Sequence, residues 1–162
     1  MSTKTLMIGA ACLCVLPLAT AHADDKVSIR LAIQAEYNRY SLALARKDLA
    51  TILAIKAPGY VSFDTDGKSL TRTPDQERKH TIDLVSPPNT FHENWQVMSL
   101  DLEKDGAIVT VHAVSVSTRL SSQTGHREGT HTAEVDRDFW IRSGTGWVWK
   151  RSRILTVNRT PI

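Results

Sequence analysis

The second half of the chain restricts the fold most. From Phe91 onward it reads as four long strand segments joined by tight turns. Residues 95–102 turn through Lys104-Asp105-Gly106 into residues 107–120. A polar stretch, 121–129, leads into residues 130–142, and Ser143-Gly144-Thr145-Gly146 returns the chain into residues 147–157. A run of strands with one apolar face needs a second layer to bury it.

The first half offers that layer as helices. Asp25 is placed to cap a helix whose apolar positions Ile29, Ile33, Tyr37, Tyr40 and Leu44 recur at helical spacing, and Arg46 and Lys47 suit its negative end. Asp48 caps a shorter helix over residues 49–55, which Pro58-Gly59 stops. Residues 60–65 are extended, and Asp66-Gly67 turns them into a hairpin. Thr73-Pro74-Asp75-Gln76 opens a third helix with a cap, a first-turn proline and a glutamine at the capping-box position; it ends before Ser86-Pro87-Pro88-Asn89. Helices followed by a string of antiparallel strands imply an α+β domain.

Ahead of this domain, residues 1–23 have the layout of a secretory signal peptide. Lys4 supplies the charged start, residues 6–18 the apolar stretch, and Ala21-His22-Ala23 the small residues of a cleavage site. The apolar stretch is shorter than the roughly 20 residues a membrane span needs. Lipidation at Cys12 or Cys14 is the alternative, and Gly9 stands where that signal wants a branched aliphatic residue. Cleavage after Ala23 leaves residues 24–162 as one domain without cysteine, hence without a disulfide, a thiol nucleophile or a cysteine metal site. Only Lys4 of the leader is charged, so the domain carries a net charge of +2, too mild to imply nucleic acid binding. The expected location is periplasmic or secreted, with no membrane span in the mature form.

Three segments carry a resemblance. They are Tyr37-x-x-Tyr40 running into Lys47-Asp48-Leu49, the hairpin from Tyr60 to Gly67, and the closing hairpin from Phe139 to Trp147. In this order and spacing they resemble the nuclear transport factor 2-like superfamily, and within it the SnoaL-like subgroup. The resemblance implies a cone-shaped, curved antiparallel or mixed sheet packed on three N-terminal helices. The spacing of Tyr40 and Asp48 is similar to that of the ketosteroid isomerases, whose oxyanion-stabilising tyrosine precedes a helix-starting aspartate by eight residues. That likeness implies Tyr40 as oxyanion donor and Asp64 as general base. Where the isomerases place a protonated aspartic acid, this chain reads Val135-Asp136-Arg137-Asp138-Phe139.

Strand alternation divides that segment. Arg137 shares a face with Val135, Phe139 and Ile141, while Asp136 and Asp138 point the other way. Taking the apolar face as interior puts Arg137 in the pocket, where it favours a carboxylate or other anion. The limonene-epoxide-hydrolase-like use of Asp, Arg and Asp together fails on the same ground, since consecutive strand residues do not face one cavity. His112 shares a face with Ile108, Thr110, Val114 and Val116, as hydrogen-bonded core or as pocket lining. The opposite face, Val109, Val111, Ala113, Ser115 and Ser117, suits sheet-on-sheet packing in a homodimer. On the last strand Trp147, Trp149, Arg151 and Arg153 alternate with Val148, Lys150, Ser152 and Ile154, and either face fits the interior. His126, Glu128 and His131 are zinc-compatible types in a polar loop without fixed geometry, so no metal is expected.

The sequence thus supports an exported small-molecule-binding protein with Arg137, Trp95, Trp149 and Arg151 as ligand contacts. A cofactor-independent isomerase, dehydratase or cyclase using Tyr40, Asp64 and His112 is the enzymatic alternative, and a homodimeric interaction module the third.

Overall fold

A computed structural model describes residues 18–120 and 125–162. The charged start and most of the apolar stretch of the leader, with Cys12 and Cys14, lie outside the described residues. Helix α1 (Leu18–Arg46) is followed by α2 (Leu49–Ile55), strands β1 (Lys56–Phe63) and β2 (Leu70–Arg72), and helix α3 (Pro74–Val85). Four long strands complete the chain: β3 (Thr90–Glu103), β4 (Gly106–Leu120), β5 (Arg127–Ser143) and β6 (Gly146–Pro161). All six strands form one open sheet in the order β2-β1-β6-β5-β4-β3. The sheet is mixed because β1 runs parallel to β6; the other neighbours are antiparallel.

Asp25 lies within α1 rather than at its start, because the residues before it continue the helix. The expected apolar stripe does face the sheet: Ile33, Tyr37, Tyr40 and Leu44 are buried and Ile29 packs against them. At the C-terminal end Lys47 takes the left-handed conformation (φ 59°). Its N–H donates to Leu44 O at 3.1 Å, and Asp48 N donates to Ala43 O at 2.8 Å, satisfying two terminal carbonyls. Asp48 caps α2 by accepting from Thr51 N, and Thr73 and Gln76 form the capping box of α3. Both signals were legible as local chemistry.

Helix α1 also covers the edge of the sheet. The Gln34 side-chain amide donates to Trp95 O at 2.8 Å and accepts from Val97 N at 2.9 Å, while Arg30 donates to Val97 O at 2.6 Å. Unpaired backbone groups of β3 are thereby met, as an edge strand requires. On the opposite side Lys56 of β1 and Glu77 of α3 form a buried ion pair at 2.6 Å.

Two faces read from alternation are reversed. Val109, Val111 and Ala113 of β4 are buried in the core and Ser115 is buried at the cavity wall, so this face lies inside rather than forming a dimer face. On β5 the interior residues are Asp136, Asp138 and Trp140, and Arg137 is exposed on the outer face. Trp140 is the largest fully buried side chain, and it commits that parity to the interior.

Strand β6 does not keep one parity. Trp140 pairs with Trp149 but Phe139 pairs with Arg151, leaving Lys150 as an extra residue. This β-bulge changes the phase: Trp147 and Trp149 point inward, and so do Ser152 and half-buried Ile154, while Arg151 and Arg153 are exposed.

Candidate functional site

Helices and sheet enclose an open-mouthed cavity of about 480 Å³. Its floor is aromatic. Tyr37 stacks on Trp95 with ring centroids 5.1 Å apart, and Trp140 stacks on Trp149 at 5.7 Å. Tyr40 and Tyr60 meet Trp149 edge-on at 5.7 and 5.3 Å. These aromatic rings hold Tyr40, Trp95 and Trp149 at the cavity wall.

Acidic groups stand in this apolar setting. Glu93 of β3 and Glu134 and Asp136 of β5 line the cavity. Asp138 lies behind, 1% exposed, where it accepts a short hydrogen bond from the Tyr37 hydroxyl; Trp140 Nε1 donates to the same hydroxyl at 3.0 Å. Desolvation is the main cause that raises all four carboxyls above the ordinary range. For Asp136 the charge of Asp138 adds to it, and Glu93 is pushed up to about 8. Against this, Tyr37 pulls Asp138 downward. The indoles of Trp95 and Trp149 come near enough to Glu93 and Asp138 to act in the same sense, though neither indole N–H completes a hydrogen bond. Two carboxyls that repel and are both desolvated retain a proton at neutral pH, and that proton belongs to the pair.

Cations occupy other walls. The Lys56 ammonium lies 5.4 Å from the Tyr40 ring centroid and 4.9 Å from that of Tyr60, and bonds Glu77. Arg72 reaches the other Glu77 oxygen at 3.5 Å. Burial raises Tyr40 above its ordinary pKa despite Lys56, so its hydroxyl stays protonated and able to donate. Arg119 and Arg159 contribute further positive charge to the lining. The cavity is therefore bipolar, with protonatable acids and hydroxyl donors on one wall and guanidiniums on others.

Of the residues expected from sequence, Tyr40, Trp95 and Trp149 meet in this cavity. Asp64 does not. It is exposed in the β1–β2 turn, where its side chain accepts from Thr65 N at 2.6 Å and its carbonyl from Gly67 N at 2.8 Å. Turn formation claims it, and it has no path to the cavity. His112 is half-buried on the outer face of β4, between Gln96 and Val135 in register. Arg137 and Arg151 do come together, on the other side of the sheet from the cavity. Among the described residues, no three histidine, cysteine or acidic side chains gather as a metal site, and no helix is long and apolar enough to cross a membrane.

The residues that sequence reasoning missed are Glu93, Glu134, Asp136, Asp138, Tyr37 and Lys56. A signal existed. Glu93-x-Trp95 and Asp138-x-Trp140 each put a carboxyl and a tryptophan on one strand face, and a tryptophan large enough to demand burial takes its acidic neighbour inside with it.

No family model matches the chain, and no curated protein matches it in sequence. Solved structures do match in shape. A scytalone dehydratase-like protein from Novosphingobium aromaticivorans superposes with a TM-score of 0.67 at 15% identity, over 85% of this chain and 90% of that one. A ketosteroid isomerase-like protein from Erwinia carotovora atroseptica gives 0.54 at 18% identity, over 78% and 95%. A nuclear transport factor 2-like protein from Salmonella enterica gives 0.56 at 12% identity, over 79% and 90%. The α+β architecture expected from the sequence is thus met, and the chain has the nuclear transport factor 2-like fold.

Proposed function

We propose that this protein binds a small organic molecule bearing a carbonyl or hydroxyl group and moves a proton on it without a cofactor, as in isomerisation or dehydration. One observation carries the reading. Asp136 lies on the cavity wall, 3% exposed and raised in pKa, with its Oδ1 unpaired by any protein donor, and the protonated Tyr40 hydroxyl belongs to the same cavity. An unpaired buried acid is costly unless something else meets it. In this scheme one carboxylate of the Glu93–Glu134–Asp136 group takes a proton from carbon next to the carbonyl. Tyr40 and a protonated neighbour donate to the oxygen that gains charge. Returning the proton to another carbon completes an isomerisation; giving it to a departing hydroxyl releases water. The dehydratase-like and isomerase-like descriptions of proteins with this fold support the class of chemistry.

The test is deuterium exchange at carbon next to the carbonyl in a panel of cyclic and polyketide-like ketones, followed by NMR. Wild type should accelerate exchange, and Asp136→Asn should lose on the order of 10²–10⁴ of that acceleration. No ketone bound and none exchanged would sink the proposal. Export is proposed on residues 1–23, and the intact mass of protein secreted from a bacterial host should correspond to a chain beginning at Asp24. Pairing of two copies is proposed through the outer face around Val114, Val116 and Val135, which are partly exposed; light scattering at twice the monomer mass is the expected result.

A further inference from the structure

The bulge at Lys150 builds a second constellation on the outer face. Lys150 is held there by donating to Pro58 O at 2.8 Å. Past it, Arg151 and Arg153 turn outward to join Arg137, which stands directly across from Arg153 in the β5–β6 register. Arg151 pairs with Phe139, its guanidinium 5.5 Å from the ring centroid. Three guanidiniums, the apolar surfaces of Phe63, Ile108 and Phe139, and Asp138 between Arg137 and Phe139 line a groove of about 290 Å³. Gly67 closes one side: at φ +67° a Cβ there would come within 2.5 Å of Arg153 Cζ, and Arg153 donates to Thr65 O at 3.0 Å.

Like charges directly opposed across strands repel. Among the described residues no carboxylate closes an ion pair with Arg137, Arg151 or Arg153. Asp138, which also borders the groove, gives its carboxyl to Tyr37. Asp66 feels the charge of Arg153, yet its oxygens are held by Lys68 N, Ser69 N and Ser69 Oγ. A concave site with an apolar floor and uncompensated guanidiniums fits an anion whose body is flat and apolar.

We propose that this groove is a second ligand site, selective for a small aromatic carboxylate. The carboxylate bridges Arg137 and Arg153, and the ring lies along Phe139 and Ile108. The sheet separates it from the acidic cavity, so it stands or falls independently of the proton-transfer reading.

Benzoate is the probe and benzamide its uncharged counterpart, each titrated calorimetrically into the whole protein with amide NMR to locate binding. Benzoate should bind at least roughly tenfold tighter than benzamide, with shifts centred on Phe139 and Arg153. Arg137→Gln and Arg153→Gln should each weaken benzoate roughly tenfold, Arg137→Gln while leaving circular dichroism and Tm unchanged. Asp136→Asn, in the other cavity, should not alter benzoate affinity. Unchanged affinity in the arginine variants overturns the proposal. So do shifts centred on Trp95 and Trp149, or no saturation by about 10 mM benzoate.

Discussion

The Tyr37 hydroxyl on α1 donates to the Asp138 carboxylate on β5 and accepts from Trp140 Nε1, tying the first helix to the middle of the sheet through a fully buried acid. The sequence separation is 101 residues, so the contact forms only when both layers are assembled. Removing the hydroxyl strands a carboxylate and an indole N–H together. Tyr37→Phe should therefore lower stability by about 1–3 kcal/mol in urea unfolding, more than Tyr40→Phe, whose hydroxyl makes no such double link. Equal losses from the two substitutions would contradict this account.

The raised carboxyls set a direction for pH dependence. Their folded pKa lies above the unfolded value, so the folded state binds more protons in between, and stability falls as pH rises. For Glu93 the window runs from an unfolded value near 4.5 to about 8, and the raised Asp136–Asp138 pair acts in the same sense. Glu77 is lowered; desolvation, the largest influence, raises it but is outweighed by Lys56 and Arg72. Its contribution is lost instead as pH drops below the unfolded carboxylate value. Urea midpoints should therefore be highest near about pH 5 and decline toward alkaline pH, and Glu93→Gln should flatten the decline. A midpoint rising from pH 5 to 8 would refute the assignment.

The Lys56–Glu77 pair is buried on both sides, 8% and 11% exposed. Breaking one member leaves the other charge desolvated, so Glu77→Gln should cost about 3–5 kcal/mol. Lys56→Met combined with Glu77→Leu should recover most of that loss, because packing replaces a desolvated pair. A double-mutant cycle in urea reads the coupling, and additive losses would show that the pair is not coupled.

Lys47 occupies a left-handed position that costs a side chain free energy which glycine does not lose. Lys47→Gly should raise stability by about 0.5–1 kcal/mol without altering the ends of α1 or α2. A fall in Tm would mean that the Lys47 side chain contributes more than its conformation costs.

What the sequence determined by itself is local. The Asp48 and Thr73 caps, the apolar stripe of α1 and the four long strands depend on residues within a few positions of one another, and they were legible for that reason. The order of these elements was also enough to point to the fold. Alternation correctly separated Arg137 from Asp136 and Asp138, and so disposed of an Asp-Arg-Asp triad.

Which side of the sheet faces the helices was decided by the tertiary structure. On β5 both faces carry apolar groups, and the buried one is chosen by Trp140 packing against Tyr37 and Trp149, contacts that span the chain. On β6 one extra residue at Lys150 reverses the parity as far as Ile154, where a second register shift at Leu155 restores it, and a bulge has no marker in strand alternation. Tyr40, Trp95 and Trp149 could be named from the sequence as pocket residues because large aromatic side chains need burial wherever they lie. The acids beside them could not, since a carboxyl belongs inside only when a distant hydroxyl, indole or ligand is there to meet it.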